Sequence, residues 1–334
     1  MEKYDKIEID AYYICVIKGK KAYDLYEGEF CVAVITLDKV SKYYTKKPAL
    51  GDTSFAVNRG DFFGIAGPKK SGKSTIINII MDFIRPTNGT VTIFGQKSYS
   101  QDTSRKRKIG FMPSNPVYCE TMKAIDVIRT AEKLKGVKDH EAVMSLCKHF
   151  SVDKNKRIGS LPMSCRKKVA IVIALMGNPE LVIMDNAFVA LDSDTKNKLA
   201  HYLLDLNKAG VTVVISDRNI DLLQQICSRI AIMRKGSLLE ISEKKVLMKS
   251  DTRRVSVKTN DDLTALYTLF NITEITEENG YISFLYKKDI NDLVEALTHY
   301  NLDDLQITLP SLGDALVRYY EKKLEQENGG VSYE

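Results

Sequence analysis

The stretch Gly67-Pro68-Lys69-Lys70-Ser71-Gly72-Lys73-Ser74, with Thr75 behind it, is compatible with few folds. The apolar run Phe62-Phe63-Gly64-Ile65-Ala66 leads in as a strand, and a helical pattern from Ser74 to Phe83 leads out. Four residues between a glycine and Gly-Lys-Ser, set between strand and helix, match the phosphate-binding loop pattern. Glycines let successive backbone N–H groups curl around phosphate oxygens without a Cβ clash. The helix that follows turns its positive end toward them. Lys73 then reaches the β- and γ-phosphates, and the Ser74 hydroxyl takes one position on Mg²⁺. A nucleoside triphosphate site is expected over residues 67–75.

A second nucleotide element follows at Leu181-Val182-Ile183-Met184-Asp185. Four apolar residues ending in an acid read as a buried strand that presents a carboxylate at its tip, and Asp185 is expected to join the Mg²⁺ shell. Around these two elements strands alternate with helices. Strand patterns cover Ile35–Val40, Thr53–Val57, Thr90–Gly95 and Val211–Ile215; helical patterns cover Thr121–Lys135 and Asp194–Leu206. That order predicts an α/β fold with a mainly parallel sheet and its ligand at the strand ends.

A chain of 334 residues is long for one domain and fits one large plus one small. Residues 1–33 are expected to be an N-terminal, mainly β extension, with strands over 11–17 and 29–35. Residues 34–248 are expected to be the nucleotide-binding domain, with a helical part over about 115–165. The texture changes near residue 250. From Val255 a β-α-β-β-α-β order predicts a small α+β domain to about residue 326, with a last helix from Ser311 and a frayed tail over 327–334.

The net charge of +6 is mild, and its densest cluster, Arg105-Lys106-Arg107-Lys108, reads as a solvated loop rather than a nucleic-acid stripe. Cys15, Cys31, Cys119, Cys147, Cys165 and Cys227 lie far apart with no metal or disulfide spacing, as in a reducing compartment. The longest apolar stretch, Val169–Met176, falls well short of the roughly 18 residues of a membrane span. The chain therefore reads as soluble, and a membrane role has to come through a partner.

The spacing of these pieces from about Ile35 to Glu240 resembles the ATP-binding subunit of ABC transporters, closest to the type that serves ABC-2 exporters. Gly67, Gly72, Lys73, Ser74 and Asp185 anchor the resemblance. Tyr44 sits where the family stacks an aromatic on adenine, Ala190-Leu191-Asp192 resembles the loop that crosses the dimer interface, and Ser228–Gly236 resembles the closing strand and turn. The match runs more loosely through Leu309-Pro310-Ser311-Leu312-Gly313-Asp314-Ala315-Leu316, similar to that subfamily's closing helix.

Four positions depart from the family. Its signature Leu-Ser-Gly-Gly-Gln reads here Leu161-Pro162-Met163-Ser164-Cys165, where Pro162 removes a backbone donor and Met163 adds bulk at a close approach. The glutamate after the strand-end acid is Asn186, which can orient water but cannot accept its proton; loss of a general base costs about 10²–10⁴ in rate. The glutamine that senses Mg²⁺ and attacking water is Ser114, and the switch histidine is Arg218.

The resemblance implies a phosphate-loop NTPase fold of ABC type, ATP and Mg²⁺ as ligands, and a head-to-tail pair formed with itself or with a paralogous subunit. It also implies a separate multi-span membrane permease as partner, contacted through residues 115–128 with Tyr118 a candidate, and a cytoplasmic location at the inner face of the cell membrane. Hydrolysis is expected to be weak or absent. The alternatives are a hydrolase that uses Asn186 and Arg218 as substitutes, and a regulatory or scaffold ATP-binding protein outside transport.

Overall fold

The computed structural model describes residues 33–44, 48–99, 104–243, 253–270, 272, 275–278 and 280–308. The strand expected over 11–17, the last helix from Ser311 with its 309–316 motif, and the tail lie outside the described residues. The chain divides into two compact units: residues up to Asn219 with Gln225–Ser242, and Ile220–Gln224 with the residues from Glu243 on.

In chain order the first part runs β1 (Ala33–Tyr43), β2 (Pro48–Asn58), β3 (Phe62–Ala66), α1 (Lys73–Ile80), β4 (Asn88–Ile93), β5 (Gln96–Lys97), β6 (Ile109–Met112), α2 (Ala124–Lys135), α3 (His140–His149) and α4 (Met163–Leu175). It continues with β7 (Leu181–Met184), α5 (Ser193–Lys208), β8 (Thr212–Asp217), α6 (Ile220–Ile226), β9 (Arg229–Arg234) and β10 (Ser237–Glu243). The central sheet has the order β10-β9-β3-β8-β7-β6. β3 lies parallel to both β8 and β9, and β7 parallel to both β8 and β6. A second sheet, β2-β1-β4-β5, is antiparallel.

Every residue of β3 and β7 is buried, as expected of central parallel strands covered on both faces. That burial is why each reads in sequence as an unbroken apolar run. α1 sits in the same core, with Ile76, Ile77, Ile79 and Ile80 all inaccessible. Ser74, Thr75 and Asn78 stay partly exposed on its other side, and each buried isoleucine contributes about 1.5–3 kcal/mol. The Phe55 and Phe63 rings stack at 5.3 Å between centroids, joining the antiparallel sheet to the parallel one. Because β3, β6, β7 and β8 run the same way, their C-terminal ends present residues 67–75, Ser114, Asp185 and Arg218 at one edge of the sheet.

Several expected bounds move. The helix expected from Thr121 starts at Ala124, because Lys123 first forms a bridge with Arg157 and Ala124 N–H donates to the Lys156 carbonyl. The helix after the phosphate loop stops at Ile80 rather than Phe83, where Asp82 adopts a left-handed φ of 62°. Lys106, Arg107 and Lys108 of the basic cluster are exposed as expected, but the segment is not a loop and its first arginine is not solvated. It forms a short 3₁₀ helix over Ser104–Lys108, and Arg105 is 5% exposed.

The second unit holds β11 (Arg253–Thr259), α7 (Thr264–Phe270), β12 (Ile275–Glu278), β13 (Tyr281–Tyr286), α8 (Ile290–Leu297) and β14 (Leu302–Thr308). Its sheet, β12-β13-β11-β14, is antiparallel throughout. Val255, Val257, Leu266, Phe284 and Leu293 form its core. Of the strand expected over Ile272–Ile275, Ile275 opens β12, which runs to Glu278 and pairs with β13, while residues 273 and 274 lie outside the described residues.

Candidate nucleotide site

A cleft of about 400 Å³ opens over the phosphate loop, lined by residues 69–75 together with Ala49, Asn186 and Arg218. Its size suits a small organic ligand. Lys69, Lys70, Lys73 and Arg218 make its lining strongly cationic, so it favours an anion.

The loop owes its shape to close backbone packing. A Cβ on Gly67 would collide with the Met233 carbonyl oxygen, and the Gly72 N-cap of α1 has a left-handed φ of 105°. Only glycine fits the first position without moving β9. Pro68 supplies its carbonyl to Ser71 N–H, and that bond closes the turn. Lys73 is 5% exposed and folds back over the loop: Nζ donates to the Gly67 carbonyl at 2.7 Å, the Pro68 carbonyl at 2.8 Å and Ser71 Oγ at 3.2 Å. Burial lowers the Lys73 pKa, Asp185 pulls it back up and Arg218 lowers it further. The ammonium thus stands ready over the loop on backbone acceptors that a phosphate can replace. Ser74 and Thr75 line the same cleft.

Behind the loop, Asp185 is 4% exposed and accepts from Ser216 Oγ at 2.5 Å. Its neighbour Asn186 takes a left-handed φ of 48°, a region asparagine tolerates better than most side chains. Three contacts fix Asn186. Its N–H donates to Ser216 Oγ at 2.9 Å, its Nδ2 donates to Ser114 Oγ at 2.7 Å, and its carbonyl accepts from Lys167 Nζ at 2.6 Å. The structure thus joins Asn186 to Ser114, from the ends of β7 and β6, and to Asp185, whose Oδ1 lies 3.4 Å from the same Nδ2. Asn186 Oδ1 is buried without a partner, an acceptor able to hold one water.

Tyr44 follows β1, is 61% exposed with Lys42 Nζ 5.3 Å from its ring centroid, and does not line the cleft. The segment read as a degenerate signature places Pro162 at the N-cap of α4 with no side-chain cap, and leaves Met163 38% exposed. Arg166 ties the approach down, donating to the carbonyls of Leu161 and Gly159. Asp192 caps α5 through Thr195 N–H and Oγ1 and pairs with Lys168 at 3.2 Å; these bonds hold its carboxyl below the usual range.

Three further polar residues hold this site together. Ser216 bridges Asp185 to the Asn186 backbone. Asp217 accepts from the N–H groups of Phe188, Arg218 and Asn219, so both its oxygens are committed. Lys167, on α4, is 1% exposed. Burial pushes its pKa down to about 8, opposed by Asp217 and Asp185. Ser216 and Asp217 close a buried strand and could have been flagged by position. A lysine among Arg166 and Lys168 reads as solvent-facing in any sequence.

Residues 50–189 match the family model described as ABC transporter. The chain carries an ABC transporter ATP-binding domain. Among relatives it is 26% identical to the linearmycin resistance ATP-binding protein LnrL of Bacillus subtilis (strain 168), over 84% of this chain and 96% of that protein. It is 32% identical to the methionine import ATP-binding protein MetN 1 of Listeria monocytogenes serovar 1/2a, over 62% of this chain and 65% of that protein. Among solved structures it resembles the dimeric, post-hydrolysis ATP-binding cassette MJ0796 bound to ADP and Pi: 28% identity, TM-score 0.58, 63% of this chain and 98% of that one. The fold also matches the structure of an ATP-binding subunit of an ABC transporter at 22% identity and TM-score 0.60, over 65% and 92% of the two chains. ABC ATPase domains bind ATP. Among the described residues no helix of the domain is long and apolar enough to cross a membrane.

Proposed function

We propose that this ABC domain grips ATP–Mg²⁺, closes against a second cassette and drives a separate multi-span permease of exporter type, while hydrolysing its ATP slowly or not at all. The observation that carries this reading is Asn186. An amide stands beside the strand-end acid, held from both sides by Ser114 and Lys167. Of the two carboxylates behind the loop, Asp217 has both oxygens bonded to backbone N–H groups. Asp185 has one oxygen bonded to Ser216. With the remaining Asp185 oxygen assigned to Mg²⁺, neither carboxylate is left to accept a proton from water, and general-base loss costs about 10²–10⁴ in rate.

Residues 67–75 bind the phosphates through backbone N–H groups, and Lys73 exchanges its carbonyl partners for phosphate oxygens. The Ser74 hydroxyl and the Asp185 carboxylate are hard oxygen donors of the kind Mg²⁺ takes, and they are the residues that would hold it. The ion supplies charge neutralisation at the phosphates. Asn186 orients a water through its unpaired Oδ1 without deprotonating it. Arg218 adds a fixed positive charge and relays no proton. Tyr44 contributes an adenine contact from the exposed end of β1, and Met163 sets the approach distance of α4 to the partner cassette.

The exporter assignment is supported by extent. The resistance protein LnrL is matched along nearly its whole length, the methionine import protein along about two thirds. The partner is a paralogous cassette or a second copy, and the complex sits at the cytoplasmic face of the cell membrane. An affinity pull-down of the tagged full chain from detergent-solubilised membranes tests this. A multi-span protein recovered together with a cassette, more with ATP–Mg²⁺ than without nucleotide, is expected. Recovery of the chain alone in both conditions would contradict it.

A further inference from the structure

A second cavity, of about 290 Å³, lies at the opposite end of the parallel sheet. It is lined by Arg59 just before β3, Arg105 and Lys108 before β6, Glu180 before β7, and Phe94 after β4. β3, β6 and β7 start here and end at the nucleotide cleft, so four to five residues at about 3.3 Å each separate the two sites by about 15 Å.

The charges in this cavity do not balance. Glu180 is bonded to Arg59 at 3.1 Å and to Lys108 at 2.8 Å, and Lys108 holds its carboxyl below the usual value. Among the described residues no carboxylate pairs with Arg105. Its Nη2 donates to the carbonyls of Lys97 and Ser98 at 2.6 and 2.7 Å, while its Nη1 is buried with no partner at all. Buried charges are normally paired, and a guanidinium 5% exposed with an unused donor is an incomplete ion pair. Among the described residues, three cations facing one carboxylate leave a doubly positive pocket. A phosphate group at neutral pH carries close to the matching charge, and its oxygens accept the forked donors of arginine.

We propose that this cavity is an anion site for a small phosphate-bearing molecule, separate from the nucleotide cleft, with Arg105 as its buried anchor, Arg59 and Lys108 as its outer clamp, and Glu180 as the internal carboxylate the ligand displaces. Glu180 gives the site a signed test. Removing its charge frees both outer cations, so Glu180→Gln tightens binding, whereas a structural ion pair would only be lost.

The test uses the full chain in a Lys73→Ala background, which weakens the phosphate loop about a hundredfold and leaves its binding below the titrated range, titrated with inorganic pyrophosphate in Mg²⁺-free buffer by calorimetry. One saturable site is expected. Its affinity falls about tenfold in Arg59→Ala and in Arg105→Gln, and rises severalfold in Glu180→Gln. Arg59 and Glu180 are surface residues, so those two variants report even if Arg105→Gln misfolds. No saturable binding in the Lys73→Ala background, or an affinity that Arg59→Ala and Glu180→Gln leave unchanged, overturns the proposal.

Discussion

Lys73→Ala is expected to lower the affinity of the chain for ATP–Mg²⁺ by about a hundredfold. A hydrogen bond to a charged group contributes about 1.5–3 kcal/mol, and each 1.4 kcal/mol is a factor of about ten. Lys73 is placed to make more than one such bond. In the free loop it already satisfies the carbonyls of Gly67 and Pro68, and binding exchanges those for phosphate oxygens in a cleft where Lys69, Lys70 and Arg218 remain. The three remaining cations explain why some affinity should survive. Calorimetric titration of wild type and variant, with unfolding midpoints measured alongside, separates lost binding from lost folding. Equal affinities in two folded proteins would show that the loop is not where the phosphates sit.

A large stability effect is expected at Gly110. Its backbone is ordinary for a strand, so no left-handed φ is involved; the constraint is proximity. A Cβ there would overlap the Ala174 carbonyl oxygen and crowd Pro179, since the end of α4 lies directly on β6. Gly110→Ala must separate the two, and overpacking of this kind costs about 3 kcal/mol, or about 6–12 °C in melting temperature for a domain this size. Gly95→Ala is the control. Nothing lies within 4 Å of a Cβ at Gly95, leaving only the left-handed backbone cost of about 1–2 kcal/mol. Differential scanning calorimetry on both variants decides it, and equal shifts would mean that α4 and β6 are not packed as described. Since β6 leads to Ser114 and α4 carries Lys167, the same variant should also loosen Asn186.

How legible these features were in sequence follows from where their partners lie. β3 and β7 were readable to the residue because their own burial writes them as apolar runs bounded by turns. β1 and β2 extend beyond the stretches read as strands, because their solvent-facing residues are polar and break the pattern. The phosphate loop was readable because its chemistry is local. Asn186 and Ser114 were each found by position, but their contact joins residues far apart in the chain and only the parallel order of β6 and β7 brings it about. Arg105 and Lys167 were unreadable for one shared reason. Both are basic residues inside basic runs, and each is buried with a backbone carbonyl outside its run accepting from it. Tyr44 keeps its place in the chain, yet its ring stands in solvent.

The fate of ATP held in the cleft bears most directly on whether this domain binds its nucleotide without consuming it. The full chain is mixed with less than one equivalent of ATP and excess Mg²⁺, quenched in acid over a time course, and its nucleotide separated by chromatography. Intact ATP is expected long after an enzyme of ordinary turnover, about 1–10³ s⁻¹, would have exhausted it. ADP and phosphate appearing at such a rate, and vanishing with Lys73→Ala, would show that Asn186 and its neighbours hydrolyse ATP after all.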